Sequence, residues 1–319
     1  HLLPYIHKEV VALFSIITLF SVYLAIFLFG MTVMRTGLSH LSEDKLKTYI
    51  LKFTNHPFKG LIVGAIITAI LQSSSAVMVI TIGLVAAGYL SFYQSIGIML
   101  GSNIGTTITT ELITFRIEEF VIPLLIIGAF VMLMNKKILF SIGATMFGLG
   151  CLFVAMNGFE TLALPLSIIP TVEHLLVWTN EQYVTGVLLG TILTAIIQSS
   201  TATTGISMSF LNNEILSIQT GIAIMLGANI GTCVTAFLAS VGGIREARLA
   251  AYAHIWLNVV GVLLFIPLIP ILSTIVSGIA TSPDLQLAHS SVIFNVLCSI
   301  LVIPFVKQFS NFIVKVHKT

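Results

Sequence analysis

The stretch GLIVGAIITAILQSSSAVMVITIGLVAAG (60–88) decides the fold, together with its near copy GVLLGTILTAIIQSSTATTGISMSFLNNE (186–214). Each carries a polar quartet, Gln72-Ser73-Ser74-Ser75 or Gln198-Ser199-Ser200-Thr201, flanked on both sides by mostly apolar residues. At 1.5 Å per residue a 12-residue helical arm is ~18 Å long, a little over half of a ~30 Å hydrocarbon core. A straight helix through all of 60–88 would be ~43 Å, longer than a span needs. Two arms meeting at a polar tip near the bilayer midplane fit the pattern better. Lipid cannot satisfy an interrupted backbone, so such a tip must be buried in protein or line a wet cavity. The quartets are therefore candidate binding elements.

The whole chain supports that setting. It is 57% hydrophobic and 8% charged, against about 25% charged in ordinary soluble domains. Its mean hydropathy is +1.08. Apolar stretches are long and lack β-barrel alternation, so the expected class is an all-α integral membrane protein. A net charge of +2 with no basic tract excludes nucleic acid as a partner. Cys151, Cys233 and Cys298 lie in apolar segments and form neither a disulfide framework nor a CxxC motif. No cleavable signal peptide is expected.

Taken in order, the pattern predicts a first helix over 9–38, then an interfacial amphipathic helix containing Glu43, Asp44, Lys45, Lys47 and Lys52. The first broken element is 58–88, followed by helices over 91–115 and 118–134. The pattern then restarts: 138–164 contains MFGLG, echoing LFGMT of the first helix. A connection with Pro165, Pro170, Glu173 and Glu181 leads to the second broken element, 183–212. Helices over 215–241, 249–270 and 286–306 complete the chain. Laid on 186–235 at a constant offset of 126, positions 60–109 give 23 identities in 50. Hydrophobicity would not bring Gln, Ser, Asn and Thr into register, so the chain reads as two repeats, 9–137 and 138–319, forming one transport domain.

Charge then orients the halves. The connection before the first broken element is rich in Lys, whereas its counterpart at 165–182 has no Lys or Arg. Parallel repeats would put both on one side of the membrane. Re-entrant hairpins give inverted-topology repeats, put these connections on opposite sides, and leave only Lys8 and Arg116 away from the other twelve Lys/Arg.

Two inverted hairpins would bring their QSS[ST] tips together. After each tip a half-helix begins, and its first N–H groups lack intrahelical partners. Anions bind there, drawn by free N–H groups and the positive dipole end. Ser73, Ser74, Ser75, Ser199, Ser200 and Thr201 add hydroxyl donors, while Gln72 and Gln198 each supply a donor and an acceptor. Carbonyls ending the preceding half-helix suit Na⁺, the division of labour of secondary transporters. The quartets contain no Lys or Arg, so the site is expected to hold the anion without a fixed cation. Interhelical glue is the bland reading of one serine run; two copies in register argue against it.

GSNIGTT (101–107) and GANIGTC (227–233) read in two ways. Gly97, Gly101 and Gly105 form a small-residue ridge, mirrored by Ala223, Gly227 and Gly231, and so predict close helix packing. Asn103 and Thr106 share a face, as do Asn229 and Thr232. Polar side chains repeated at membrane depth are expected at the site, as Na⁺ ligands or tip supports. Glu111 is a candidate Na⁺ or proton site, or a solvated residue near a helix end. His254 and Asn258, at i and i+4, predict a structural hydrogen bond.

These residues resemble a known family. QSSS (72–75), QSST (198–201), GSNIGTT, GANIGTC and HIWLNVVG (254–261) are similar to motifs of the type II sodium-dependent phosphate cotransporters and their bacterial relatives. The resemblance covers about 11–270. It implies Na⁺-coupled symport of inorganic phosphate and no enzymatic activity. Phosphate would lie between the tips, held by Ser73–Ser75 and Ser199–Thr201 with Asn103 and Asn229. Na⁺, the co-transported ion, would use Gln72, Gln198, Thr106, Thr232, Thr109, Thr235 and Glu111. The first half shows no HxxFN-like stretch after GSNIGTT, and the large inter-half loop of animal members is absent. Short loops imply a bacterial inner-membrane protein. Transport or export of another oxyanion is the alternative. A serine hydrolase using His254 is disfavoured, because no GxSxG elbow is present.

Overall fold

The computed structural model describes residues 3–54, 56–115 and 117–317, with the side chains of 3–12, 41–49 and 51–53 outside that description. Arg116 and the side chains of Lys8, Glu43, Asp44, Lys45, Lys47 and Lys52, on which the charge argument leans, thus lie outside that description. Among the described residues the protein is helical throughout, with no strand. Five helical stretches are long and apolar enough to cross a membrane: Leu13–His40, Lys137–Ser167, Ile218–Ser240, Arg245–Ile279 and Pro283–Val316. With the composition, this makes the chain an integral membrane protein.

The first half comprises α1 (Leu3–Phe53), α2 (Pro57–Leu71), α3 (Ser74–Ala86), α4 (Phe92–Leu112) and α5 (Glu118–Met132). The second comprises α6 (Lys137–Ser167), α7 (Pro170–Glu181), α8 (Tyr183–Ile197), α9 (Ser200–Asn212), α10 (Ile218–Gly231), α11 (Cys233–Ser240) and α12 (Arg245–Phe265). A 3-10 turn at Ile266–Leu268 leads to α13 (Ile269–Ile279), then α14 (Pro283–Val302) and, after another such turn, α15 (Val306–Val316). The helix boundaries repeat the sequence offset of 126: α2 maps onto α8 and α3 onto α9 residue for residue, and α4 and α10 start at equivalent positions.

Several boundaries differ from the sequence expectation. The connection over 165–182 is largely helical, and the helices expected over 249–270 and 286–306 extend to Ile279 and Val316 through 3-10 breaks. α1 runs on through 39–53 as one helix, because no Gly or Pro after Gly37 interrupts that stretch. Its counterpart breaks at Ile168–Ile169, before Pro170. The helix expected over 215–241 breaks at Thr232. There Asn258 Nδ2, Thr232 Oγ1 and Cys233 Sγ all converge on the Asn229 carbonyl, and side chains inserted at a helical turn bend it.

Packing relies on small residues, as association inside lipid requires. A Cβ added at Gly30 would strike Gly148 and Cys151, and one at Gly148 would strike Gly30 and Met34, so α1 and α6 cross at this pair. α2 lies equally close on α4, with Gly101 against the Leu61 carbonyl and Gly105 against Ala65 and Thr68. The second half copies the contact: Gly227 meets the Val187 carbonyl and Gly231 meets Thr191 and Thr194, joining α8 to α10. The glycine ridge read from the sequence is therefore a packing seam. The halves also interlock, since α3 packs on α11 and α12 while α4 packs on α9 and α14.

Candidate functional site

Both polar quartets break their helices in the same way. Gln72 ends α2 in the left-handed region (φ 53, ψ 31), and Gln198 ends α8 likewise (φ 60, ψ 26). A non-glycine residue in this region is uncommon and costs conformational energy, so its repetition marks a constrained element. Each glutamine N–H still bonds back to a threonine carbonyl, Thr68 at 2.7 Å and Thr194 at 2.8 Å. Each side-chain amide donates into its own preceding turn, to Ala69 or Ala195. Each side-chain oxygen accepts a threonine hydroxyl, Thr109 at 2.6 Å or Thr235 at 2.7 Å. Thr109 and Thr235 are themselves equivalent across the offset. Gln72 is therefore tied to the long helix α4, and Gln198 to the short helix α11 that follows α10.

The next residue caps the following helix. Ser73 Oγ accepts from Ala76 N at 3.1 Å, and Ser199 Oγ from Ala202 N at 3.2 Å. This serves one of the orphan donors at each helix start and leaves the N–H groups of Ser74 and Ser75, or of Ser200 and Thr201, without intrahelical acceptors. Ser74, Ser75 and Ser200 are half-buried, and Thr201 is buried. Each break therefore presents N–H groups and hydroxyls at a helix N-terminus, an arrangement suited to an anion. The two tips differ in exposure: Gln72 is buried and Gln198 is exposed.

The Asn/Thr faces are engaged in packing contacts. Asn103 Nδ2 donates to Asn258 Oδ1 at 2.9 Å, and Asn258 Nδ2 donates to the Asn229 carbonyl at 3.0 Å. One asparagine of α12 thus ties α4 to α10. Asn229 Nδ2 donates to the Met225 carbonyl, and the hydroxyls of Thr106 and Thr232 donate to Ser102 and Asn229 carbonyls. The His254–Asn258 hydrogen bond expected from their spacing is present at 3.2 Å.

Two residues of the site region were not singled out from sequence. His289 Nδ1 lies 2.8 Å from Glu111 Oε1, the one salt bridge among the described residues, with side chains 30% and 28% exposed. Arg35 of α1 donates through a terminal guanidinium nitrogen to the Gln72 main-chain carbonyl at 3.4 Å. Each is ionisable within an apolar helix, the signal that could have found them. Arg35 also corrects an expectation: a fixed cation does stand at the first tip.

The profile of the Na⁺/Pi-cotransporter family matches residues 26–161 and again 164–281. The chain belongs to this family. It is 39% identical over 294 residues to the Bacillus subtilis "Uncharacterized protein YqeW", covering 92% of this chain and 96% of that one. It is 22% identical over 289 residues to the Escherichia coli "Putative inorganic phosphate export protein YjbB", covering 90% of this chain and 53% of that protein. The chain therefore spans about half the length of the latter. Human "Sodium-dependent phosphate transport protein 2B" shares 35% identity over 88 residues, 26% of this chain and 13% of that one. No solved structure matches the chain. Membership places this integral membrane protein in a phosphate-transporter family.

Proposed function

We propose that the protein is a Na⁺:phosphate symporter of a bacterial inner membrane. Repeats 9–137 and 138–319 would form one inverted-topology transport domain. One observation carries the reading: a left-handed glutamine, a serine cap and a fresh helix N-terminus occur twice at equivalent positions in a phosphate-transporter family member. Phosphate would be held by Ser73, Ser74, Ser75, Ser199, Ser200 and Thr201, together with Asn103 and Asn229. Na⁺ would use oxygens of Gln72, Gln198, Thr106, Thr232, Thr109, Thr235 and Glu111. Gln72 and Thr109, or Gln198 and Thr235, already bring a carbonyl and a hydroxyl oxygen together, the hard ligands Na⁺ prefers. The difference in tip exposure supports alternating access, in which the two tips take turns facing water.

If one anion is shared, Ser74→Ala and Ser200→Ala should each weaken phosphate binding, and the double variant should depart from additivity by about 0.5–3 kcal/mol. Isothermal titration of the four proteins reads the cycle. Strict additivity would mean separate sites or none. The inverted arrangement is tested by sidedness. Single cysteines introduced at Lys47 and at Glu173, in a background without native cysteines, should react with an impermeant thiol reagent from opposite faces. Reaction from one face would sink the inverted arrangement.

The name of the E. coli relative favours one second reading, phosphate export. An exporter would run in the opposite net direction under cellular gradients, which transport assays in both orientations distinguish. Competition by arsenate but not sulfate would support phosphate over other oxyanions. The hydrolase reading loses support because His254 Nε2 lies against Asn258 rather than a serine.

A further inference from the structure

The guanidinium of Arg35 stands where the two half-helices of the first tip meet. The carbonyl it contacts belongs to Gln72, the residue just before the Ser73 cap. That contact uses one of five N–H donors. Arg35 Nε is buried and has no hydrogen-bond partner. Among the described residues no carboxylate pairs with it, since the one salt bridge joins Glu111 to His289. A partly buried guanidinium with an unpaired donor is costly, and inside a membrane span such a residue marks a substrate path by default.

A purely structural role is the competing explanation. Arginine at the end of α2 caps a carbonyl and meets the negative end of the helix dipole. Capping accounts for the terminal nitrogen but leaves the buried Nε–H without an acceptor. An oxyanion at the N-terminus of α3 would supply one. Phosphate oxygens suit the planar fork of arginine, which can donate from Nε and a terminal nitrogen in parallel. The N–H groups of Ser74 and Ser75 would meet the same anion from the other side.

Among the described residues, no basic side chain makes the equivalent contact with the Gln198 carbonyl at the second tip. Aligning FGM (29–31) with FGL (147–149), the pair at which α1 and α6 cross, sets Phe153 opposite Arg35. The duplicated tips are thus chemically unequal. Resting on the phosphate reading above, we propose that Arg35 is a direct phosphate ligand at the first tip. It supplies a fixed positive charge with no counterpart at the second tip among the described residues. Arg35 then neutralises one phosphate charge at any Na⁺ concentration, and Na⁺ neutralises the remainder.

The test is phosphate binding to purified protein at saturating Na⁺, for wild type, Arg35→Gln and Arg35→Lys. Arg35→Gln should raise the phosphate Kd about tenfold to a hundredfold, the usual weight of a charge-assisted contact. Arg35→Lys, a point charge without the fork, should fall between. Arg35→Cys in a background without Cys151, Cys233 and Cys298 separates charge from fold. Modification with 2-aminoethyl methanethiosulfonate should recover much of the lost affinity, whereas the neutral methyl reagent should not. This comparison remains decisive if Arg35→Gln fails to fold. Wild-type affinity in Arg35→Gln, or equal recovery with both reagents, would overturn the proposal and leave a capping role. If wild type binds no phosphate, the functional reading falls and the proposal with it. Wild-type binding with unaffected variants sinks the proposal alone.

Discussion

Gly101→Leu and Gly227→Leu should each abolish well-folded protein, the largest stability effects expected anywhere in the chain. A Cβ at either position would run into a main-chain carbonyl, that of Leu61 or Val187. A flexible side chain could swing aside, but a helical carbonyl cannot without separating α2 from α4 or α8 from α10. Overpacking a core typically costs about 1–3 kcal/mol, and a backbone obstacle puts these substitutions at or beyond the upper end. The damage also reaches function, because these seams hold Gln72 and Gln198 against their threonine partners. Gly83→Leu is the matched control, since a Cβ there meets nothing within 4 Å. Yield of monodisperse protein in detergent and its thermal midpoint check the comparison. Leucine tolerated at both seam positions would contradict the close helix contacts.

The second large effect is on coupling. Replacing Na⁺ by K⁺ should weaken phosphate binding about 5- to 150-fold, the usual range for linked sites. Desolvating a doubly charged anion is costly, and the tips supply N–H groups, hydroxyls and one arginine. A bound cation is what completes charge neutralisation. Gln72→Ala and Thr235→Val remove oxygens from the two carbonyl–hydroxyl pairs at the tips. Each should move half-saturation by Na⁺ to higher concentration, yet leave phosphate affinity unchanged once Na⁺ saturates. By reciprocity, phosphate should tighten Na⁺ binding by the same factor. Titrations at fixed ionic strength with each ion varied in turn measure both. Equal phosphate affinity in Na⁺ and K⁺ would point to proton-coupled or facilitated transport.

Much of this was legible in the sequence because the signals were local or duplicated. The polar quartets announced the helix breaks, since a run of Gln and Ser between apolar arms is unsuited to lipid. The constant offset of 126 carried over to helix boundaries, and the glycine ridges became the seams of α2 on α4 and α8 on α10. What stayed hidden depended on contacts between distant segments. Asn258 joins Asn103 to the Asn229 carbonyl across 155 and 29 residues of chain. Nothing local to GANIGTC shows that three side-chain donors will converge on that carbonyl and break the helix at Thr232. Arg35 and His289 were hidden for the same reason. Their partners, Gln72 and Glu111, lie 37 and 178 residues away. The continuous α1 shows the limit of reading polarity as a boundary. Charged residues after 40 suggested a new element, but without Gly or Pro the helix simply continues.

Phosphate uptake into proteoliposomes tests the central claim most directly. Purified protein is reconstituted, a Na⁺ gradient is imposed inward, and labelled phosphate inside is followed over time, with an equal K⁺ gradient as control. The account predicts transient accumulation above the external concentration with Na⁺ and only slow equilibration with K⁺. Identical time courses under the two gradients, or entry that never exceeds equilibrium, would contradict Na⁺-driven symport.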